Sequence, residues 1–154
     1  MDKRTEKAIE LFKNGYNCSQ SVFAAFADIY GMDEKTALLV SSSFGGGIGR
    51  MRETCGAACG MFLAAGLENG SFTPHDNDGK AANYKLVQEL ASEFKKRNGS
   101  LICAELLGLK PKSEITNIPD DRTKEYYQKR PCVKMVEEAT EILLDYYKSI
   151  GKKI

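Results

Sequence analysis

Apolar and polar positions follow a helical period along most of this chain. Residues 2–13 put Ala8, Ile9, Leu11 and Phe12 on one stripe and Lys3, Arg4, Glu6, Lys7 and Glu10 on the other, which predicts a first helix. Asn14-Gly15 is a stop signal, because glycine suits a left-handed helix end. Asn17 is placed to cap a second helix from about Cys18 to Tyr30, with Val22, Ala25 and Ile29 continuing the face of Cys18 and Gly31 ending it. Asp33 caps a third, with Thr36 three positions on, through ALLVSSS.

The run SSSFGGGIGR interrupts the pattern. Each glycine inside a helix costs about 1 kcal/mol relative to alanine. Gly45, Gly46, Gly47 and Gly49 therefore predict a loop in which the backbone turns sharply or approaches something closely. A fourth helix is expected from about Cys55 to Ala65, with Thr54 as cap and Gly66 or Gly70 as terminator. Cys55, Cys59, Phe62 and Gly66 share one of its faces. Gly56 and Gly60, four apart, invite a neighbouring helix to pack very close.

Residues 67–78 read as a loop. Asp76 or Asp78 opens a fifth helix to about Arg97, with Tyr84, Val87, Leu90, Ala91 and Phe94 as its buried side. Asn98-Gly99 stops it, and Ser100 caps a short helix through LICAELLG. Residues 110–130 carry two prolines and many charges, and predict mostly loop with at most a short helical turn. Pro131 suits the first position of a last helix, which runs to about Lys148 with Cys132, Val136, Ala139, Leu143 and Tyr146 on one face. No alternating pattern calls for a strand. The expected fold is all-α: a compact single-domain bundle of about six to seven helices over residues 1–154.

Composition narrows the function classes. The 22 basic and 21 acidic residues leave a net charge of +1, so nothing argues for nucleic acid as a partner. No apolar run approaches the roughly 18–20 residues of a membrane span. The charged start MDKRTEKAIELF lacks a signal core, and the expected location is cytoplasmic. In that compartment five cysteines point to metal, catalysis or redox chemistry before a static disulfide scaffold. The single histidine, His75, excludes most His-rich metal sites and receives no role. Tyr126, Tyr127, Tyr146 and Tyr147 are read as core or interface packing in preference to a binding platform.

Cys18, Cys55, Cys103 and Cys132 all fall at or near predicted helix starts. A helix N-terminus carries partial positive charge and free N–H groups. Both favour a thiolate, which is the nucleophile and the metal ligand. The opposing interpretation is that each is a small apolar side chain in the core. No CxxC occurs, which excludes thioredoxin-type and zinc-ribbon motifs, and no CxxCH occurs, which excludes covalent haem of the usual type. Cys55 and Cys59, one turn apart, are poorly oriented for a disulfide but could both ligate one metal. The loop GGGIGR fails both the P-loop and the GxGxxG patterns, since position 50 is arginine. It is read as a close approach beside Cys55, with Arg50 and Arg52 offering positive charge to a thiolate or an anionic substrate.

These residues resemble the redox-active protein family named for four cysteines and a CGAxxG motif. The motif reads Cys55-Gly56-Ala57-Ala58-Cys59-Gly60, the first cysteine matches Cys18 in GYNCSQSV, and the others match Cys103 in GSLICAELLG and Cys132 in PCVKMVEEA. FGGGIGRM before the motif fits as well. Cys59 falls at a variable position and inherits no role. The resemblance implies the fold, redox use of the four thiols, and a capacity to dimerise, since a related domain occurs in haem cytochromes that dimerise. Three functions stand open. The first is a thiol oxidoreductase in which Cys55 attacks and a second family cysteine resolves, toward an unidentified partner protein or small thiol. The second is a zinc or iron–sulfur protein with the same four thiols as ligands. The third is a structural or interaction module with cysteines as core filler. Gly45, Gly46, Gly47, Gly49, Arg50, Arg52, Gly56 and Gly60 are the expected supporting loop and contact residues.

Overall fold

Short polar side chains start most of the helices. Asp2 accepts the Arg4 amide at 2.8 Å and opens α1 (Lys3–Lys13). Asn17 and Gln20 form a reciprocal capping box at the head of α2 (Cys18–Ala24). Asp33 caps α3 (Glu34–Ser41), and Asp76 caps α5 (Asn77–Asn98) by accepting the Gly79 amide at 2.8 Å. α4 (Gly56–Asn69), α6 (Cys103–Leu106), α7 (Lys124–Lys129) and α8 (Cys132–Ser149) complete the order. The computed structural model describes every residue from Met1 to Ile154. The fold is all-α, and the only β-type pairing is a single antiparallel bridge between Thr54 and Ile102.

α4 forms the centre. Its residues Gly56–Met61, Ala64 and Ala65 are all buried, and it packs against α2, α5 and α8. α1 closes the bundle against α2 and α8, burying Ala8, Leu11 and Phe12. α8 contributes Val136, Ala139 and Leu143 from the stripe its period predicts, but the buried tyrosine is Tyr147 and the expected Tyr146 is only half-buried. Full burial of a side chain such as Phe12 is worth about 1.5–3 kcal/mol. The close approach expected at Gly56 and Gly60 is made by α2 at Gly60, and at Gly56 by Phe44 and Gly45 with Cys18 of α2 beside them. A Cβ on Gly60 would lie 2.9 Å from the Val22 Cβ and 3.0 Å from the Ser19 carbonyl oxygen. That contact sets α2 directly on α4 and aligns their N-terminal ends.

Several boundaries differ from expectation for physical reasons. α2 stops at Ala24, and a short 3-10 turn, Ala27–Tyr30, follows. The Ala25 carbonyl is taken by the Arg4 guanidinium at 2.7 Å, while the Ile29 amide goes to Phe26 instead. α4 runs through Gly66 to Asn69 and ends at Gly70, so Gly66 is an interior residue. Thr54 does not cap α4; Cys55 holds that position while Thr54 pairs with Ile102. On α5 the buried residues are Leu86, Leu90 and Phe94, and Tyr84 is 61% exposed. No residue from 77 to 85 is buried, so the first turns of α5 stand clear of the bundle and its stripe begins at Leu86. The region 110–130 is irregular apart from α7, an eighth helix beyond the six or seven expected.

Gly60 and Gly66 lie on the same helix in opposite surroundings, and alanine at each should act in opposite directions. Gly66 has nothing within 4 Å of a built Cβ. Gly66→Ala should therefore gain about 0.5–1 kcal/mol of helix stability. Gly60→Ala should lose about 1–3 kcal/mol by forcing α2 away. By thermal unfolding, at about 2–4 °C per kcal/mol for a domain of this size, the first variant should melt higher than the parent and the second lower. Equal shifts at the two positions would contradict the packing described.

Candidate functional site

The glycine loop is wound against the thiol-bearing ends of the helices. Residues 46–50 all have positive φ, including Ile48 at 67° and Arg50 at 59°, and Arg52 follows at 62°. For residues other than glycine this conformation costs roughly 1–2 kcal/mol each. The turn is held by Gly49 N–H to the Ser43 carbonyl (2.7 Å) and Glu53 N–H to the Gly47 carbonyl (2.9 Å). A Cβ at Gly47 would come within 2.5 Å of the Cys103 Cβ, so only glycine lets the loop touch that cysteine. The strain is spent where it aims the side chains of Arg50 and Arg52 at one cavity.

That cavity has a volume of about 320 Å³ and is lined by Cys18, Cys55, Cys103 and Cys132 together. Each arrives by its own route. Cys18 and Cys132 are the first residues of α2 and α8. Cys55 is the cap residue of α4, and Cys103 the first residue of α6. The last two are tied through backbone: Cys55 N–H donates to the Leu101 carbonyl at 2.7 Å, and Cys103 N–H to Glu53 at 2.6 Å. Ser100 secures the same strand-like step by accepting the Ile102 amide at 2.9 Å and hydrogen-bonding Glu105. All five cysteines are free thiols. Cys59 does not line the cavity; its thiol lies 3.8 Å from the Thr54 carbonyl on the buried side of α4. Gly45, Gly46, Gly47, Gly49, Arg50, Arg52 and Gly56 also line the cavity, whereas Gly60 acts one turn away through the α2 contact.

Four thiols at four helix starts have very different chemistry. Burial pushes the Cys55 thiol up to about 12, although the Ala57 and Ala58 amides oppose it. Burial likewise raises Cys103, against the pull of Arg52, whose Nη1 lies 3.7 Å from its sulfur. Cys59 is raised to about 11 by burial. Cys18 and Cys132 are a pair in which each is the strongest influence on the other. The Cys18 thiol stabilises Cys132 as the thiolate, and Arg130, Tyr126 and Arg122 add to this, bringing Cys132 down to about 7. Cys18 is correspondingly raised, first by that interaction with Cys132 and then by burial.

Arg122, Arg130 and Asp120 are site residues that the sequence reading did not single out, and Tyr126, expected only as packing, joins them at the cavity. They come from the irregular region, where no period marks a facing side. Arg122 anchors this region by donating to the carbonyls of Phe12 (2.8 Å) and Tyr16 (2.9 Å) and by lying over the Phe12 ring, 4.4 Å from its centroid. Of the four tyrosines, Tyr126 reaches the cavity, Tyr127 packs edge-on to Phe12, and Tyr147 is fully buried with its hydroxyl 2.8 Å from that of Tyr30. Tyr146 packs beside Tyr147.

No three His, Cys, Asp or Glu side chains of the protein converge as a binding set, and a guanidinium stands against the Cys103 sulfur. No helix is long and apolar enough to cross a membrane.

The depressed Cys132 value makes its reactivity specific. With its thiol brought down to about 7, Cys132 carries more thiolate at neutral pH than an ordinary cysteine. The lower intrinsic nucleophilicity of a weaker base offsets part of that gain but not all of it. Iodoacetamide labelling followed by peptide mapping should find Cys132 the fastest site, with a rate midpoint near pH 7. Arg130→Gln should move that midpoint upward by about one pH unit. A midpoint near 9 in the parent would contradict the site.

No curated protein and no solved structure matches the chain. One family does, over residues 16–146, described as "Putative redox-active protein (C_GCAxxG_C_C)". In this chain the central motif reads CGAACG, its first two letters in the reverse order to those in the family's name. The match spans most of the chain and all four cavity cysteines, and the protein belongs to this redox-active family.

Proposed function

We propose that the protein is a thiol–disulfide redox protein in which Cys132 attacks and Cys18 resolves. The observation that carries this reading is the pairing of those two thiols at the wall of a cavity that all four family cysteines share. The attacking role expected at Cys55 passes to Cys132, because Cys55 is buried and held protonated while Cys132 has guanidinium charge beside it. Both Cys18 and Cys132 remain partly accessible, whereas Cys55 and Cys103 are 5% and 8% exposed.

The step balances as follows. The Cys132 thiolate attacks one sulfur of a disulfide; that S–S bond breaks, and the leaving thiolate takes the proton of the Cys18 thiol. The Cys18 thiolate then attacks the Cys132 sulfur, and the second thiolate leaves and is protonated by water. Two electrons pass from the protein to the disulfide, and a Cys18–Cys132 disulfide remains. A dithiol donor returns the protein to its reduced form by the same steps reversed. Cys55 and Cys103 close the inner wall, and Arg52 adds charge there.

Serine variants separate the two roles. Cys18→Ser should accumulate a stable mixed disulfide on Cys132 when treated with a small disulfide, visible as an adduct by intact-mass spectrometry. Cys132→Ser should lose fast adduct formation by about ten-fold or more. Adducts that form equally fast in Cys132→Ser and map to Cys55 would reverse the assignment.

A further inference from the structure

The charge of the cavity wall is lopsided. Four guanidiniums, those of Arg50, Arg52, Arg122 and Arg130, face it with a single carboxylate, Asp120. Arg122 already spends its donors on backbone carbonyls. The other three meet at one atom: the Asp120 Oδ2 lies 3.1 Å from Arg50, 3.2 Å from Arg130 and 3.8 Å from Arg52, and Arg50 also gives its Nη1 to the Thr116 carbonyl and hydroxyl at 2.8 Å each. One carboxylate oxygen thus serves three cations, none of which is more than about a quarter exposed (19%, 26% and 16%). Arg50 and Arg52 are also two of the residues held at positive φ. Strain of this kind persists where the surrounding structure over-determines it, and it concentrates at ligand clamps.

We propose that the cavity binds a small disulfide bearing two or more carboxylates, or the corresponding thiol, and that Asp120 occupies the place of one ligand carboxylate until the ligand displaces it. This deepens the redox reading above and rests on it. The guanidinium fork matches carboxylate geometry. The volume of about 320 Å³ is at the small end of ligand sites, which suits a low-molecular-weight disulfide and excludes a folded domain from the interior. With a carboxylate on Arg50 and Arg130, the ligand's S–S bond lies within the same cavity that Cys132 lines. Exchange then runs as described: the ligand is reduced to two thiols, and Cys18 and Cys132 are oxidised to a disulfide.

Three disulfides of similar size test the charge preference: dithiodiglycolate (two negative charges), the disulfide of mercaptoethanol (neutral) and cystamine (two positive charges). Rates of oxidation of the reduced protein should fall in that order, with at least about a ten-fold span at low ionic strength that shrinks with added salt. Arg50→Gln should reduce the ratio of the first rate to the second. Binding is read separately with glutarate, which has no sulfur. It should protect Cys132 from the neutral reagent iodoacetamide, and Asp120→Asn should lower the glutarate concentration needed by several-fold. Equal rates for the three disulfides, or no protection by glutarate at tens of millimolar, would overturn this inference while leaving the exchange reading intact. Protection by glutarate with no oxidation by any disulfide would support the anion site and overturn the redox reading on which the choice of ligand rests. An unchanged glutarate requirement in Asp120→Asn would overturn the displacement of Asp120.

Discussion

The site depends on how closely backbone approaches backbone around the start of α4. A Cβ at Gly56 would lie 2.8 Å from the Phe44 carbonyl oxygen and 3.4 Å from the Cys18 Cβ, and one at Gly60 would collide with Val22. Without side chains at these two positions, α2 and the glycine loop both settle against α4. The N-terminal ends of α2 and α4 then come together, and the loop is pressed onto Cys103 at Gly47. Residues far apart in sequence become four walls of one cavity.

Given that gathering, charge and burial decide which thiol works. A helix N-terminus is worth about 0.3–1 kcal/mol to an adjacent negative charge, which is less than one pKa unit. Desolvation of a buried group can reach 3–5 units the other way. Cys55 shows the outcome: two amides favour its thiolate, yet burial wins and leaves it near 12. Cys132 has a helix start as well, but it also has Cys18 as a proton donor and the guanidiniums of Arg130 and Arg122. Position at a helix end therefore explains why four cysteines can meet. It does not explain which one is activated.

Much of this was legible beforehand. Asn17, Asp33 and Asp76 cap where their residue types predict, Gly31 and Gly99 end helices in the left-handed conformation, and the four cysteines sit at helix starts. The glycine loop, read as a close approach beside Cys55, makes its closest contacts outside itself with Asn17 and Cys103. What could not be read depends on tertiary partners. Arg4 ends α2 early by taking the Ala25 carbonyl from across the bundle. α4 continues past Gly66 because packing of its remaining surface outweighs one weak residue. Tyr84 fits an apolar stripe that the neighbouring helices do not extend far enough to cover. Arg122, Arg130 and Asp120 belong to a segment without period, and only its anchoring on the carbonyl end of α1 brings their charges to the cavity. The burial of Cys55 was equally hidden, since burial at a cap position is a property of the whole fold.

The most direct test of the central claim is which sulfurs join when the reduced protein loses two electrons. The protein would be treated anaerobically with one equivalent of a small disulfide oxidant, quenched in acid, and mapped by non-reducing peptide mass spectrometry. The account predicts a Cys18–Cys132 linkage as the first product, with Cys55, Cys59 and Cys103 still free. A first linkage between Cys55 and Cys103, or a random distribution among the five thiols, would contradict it.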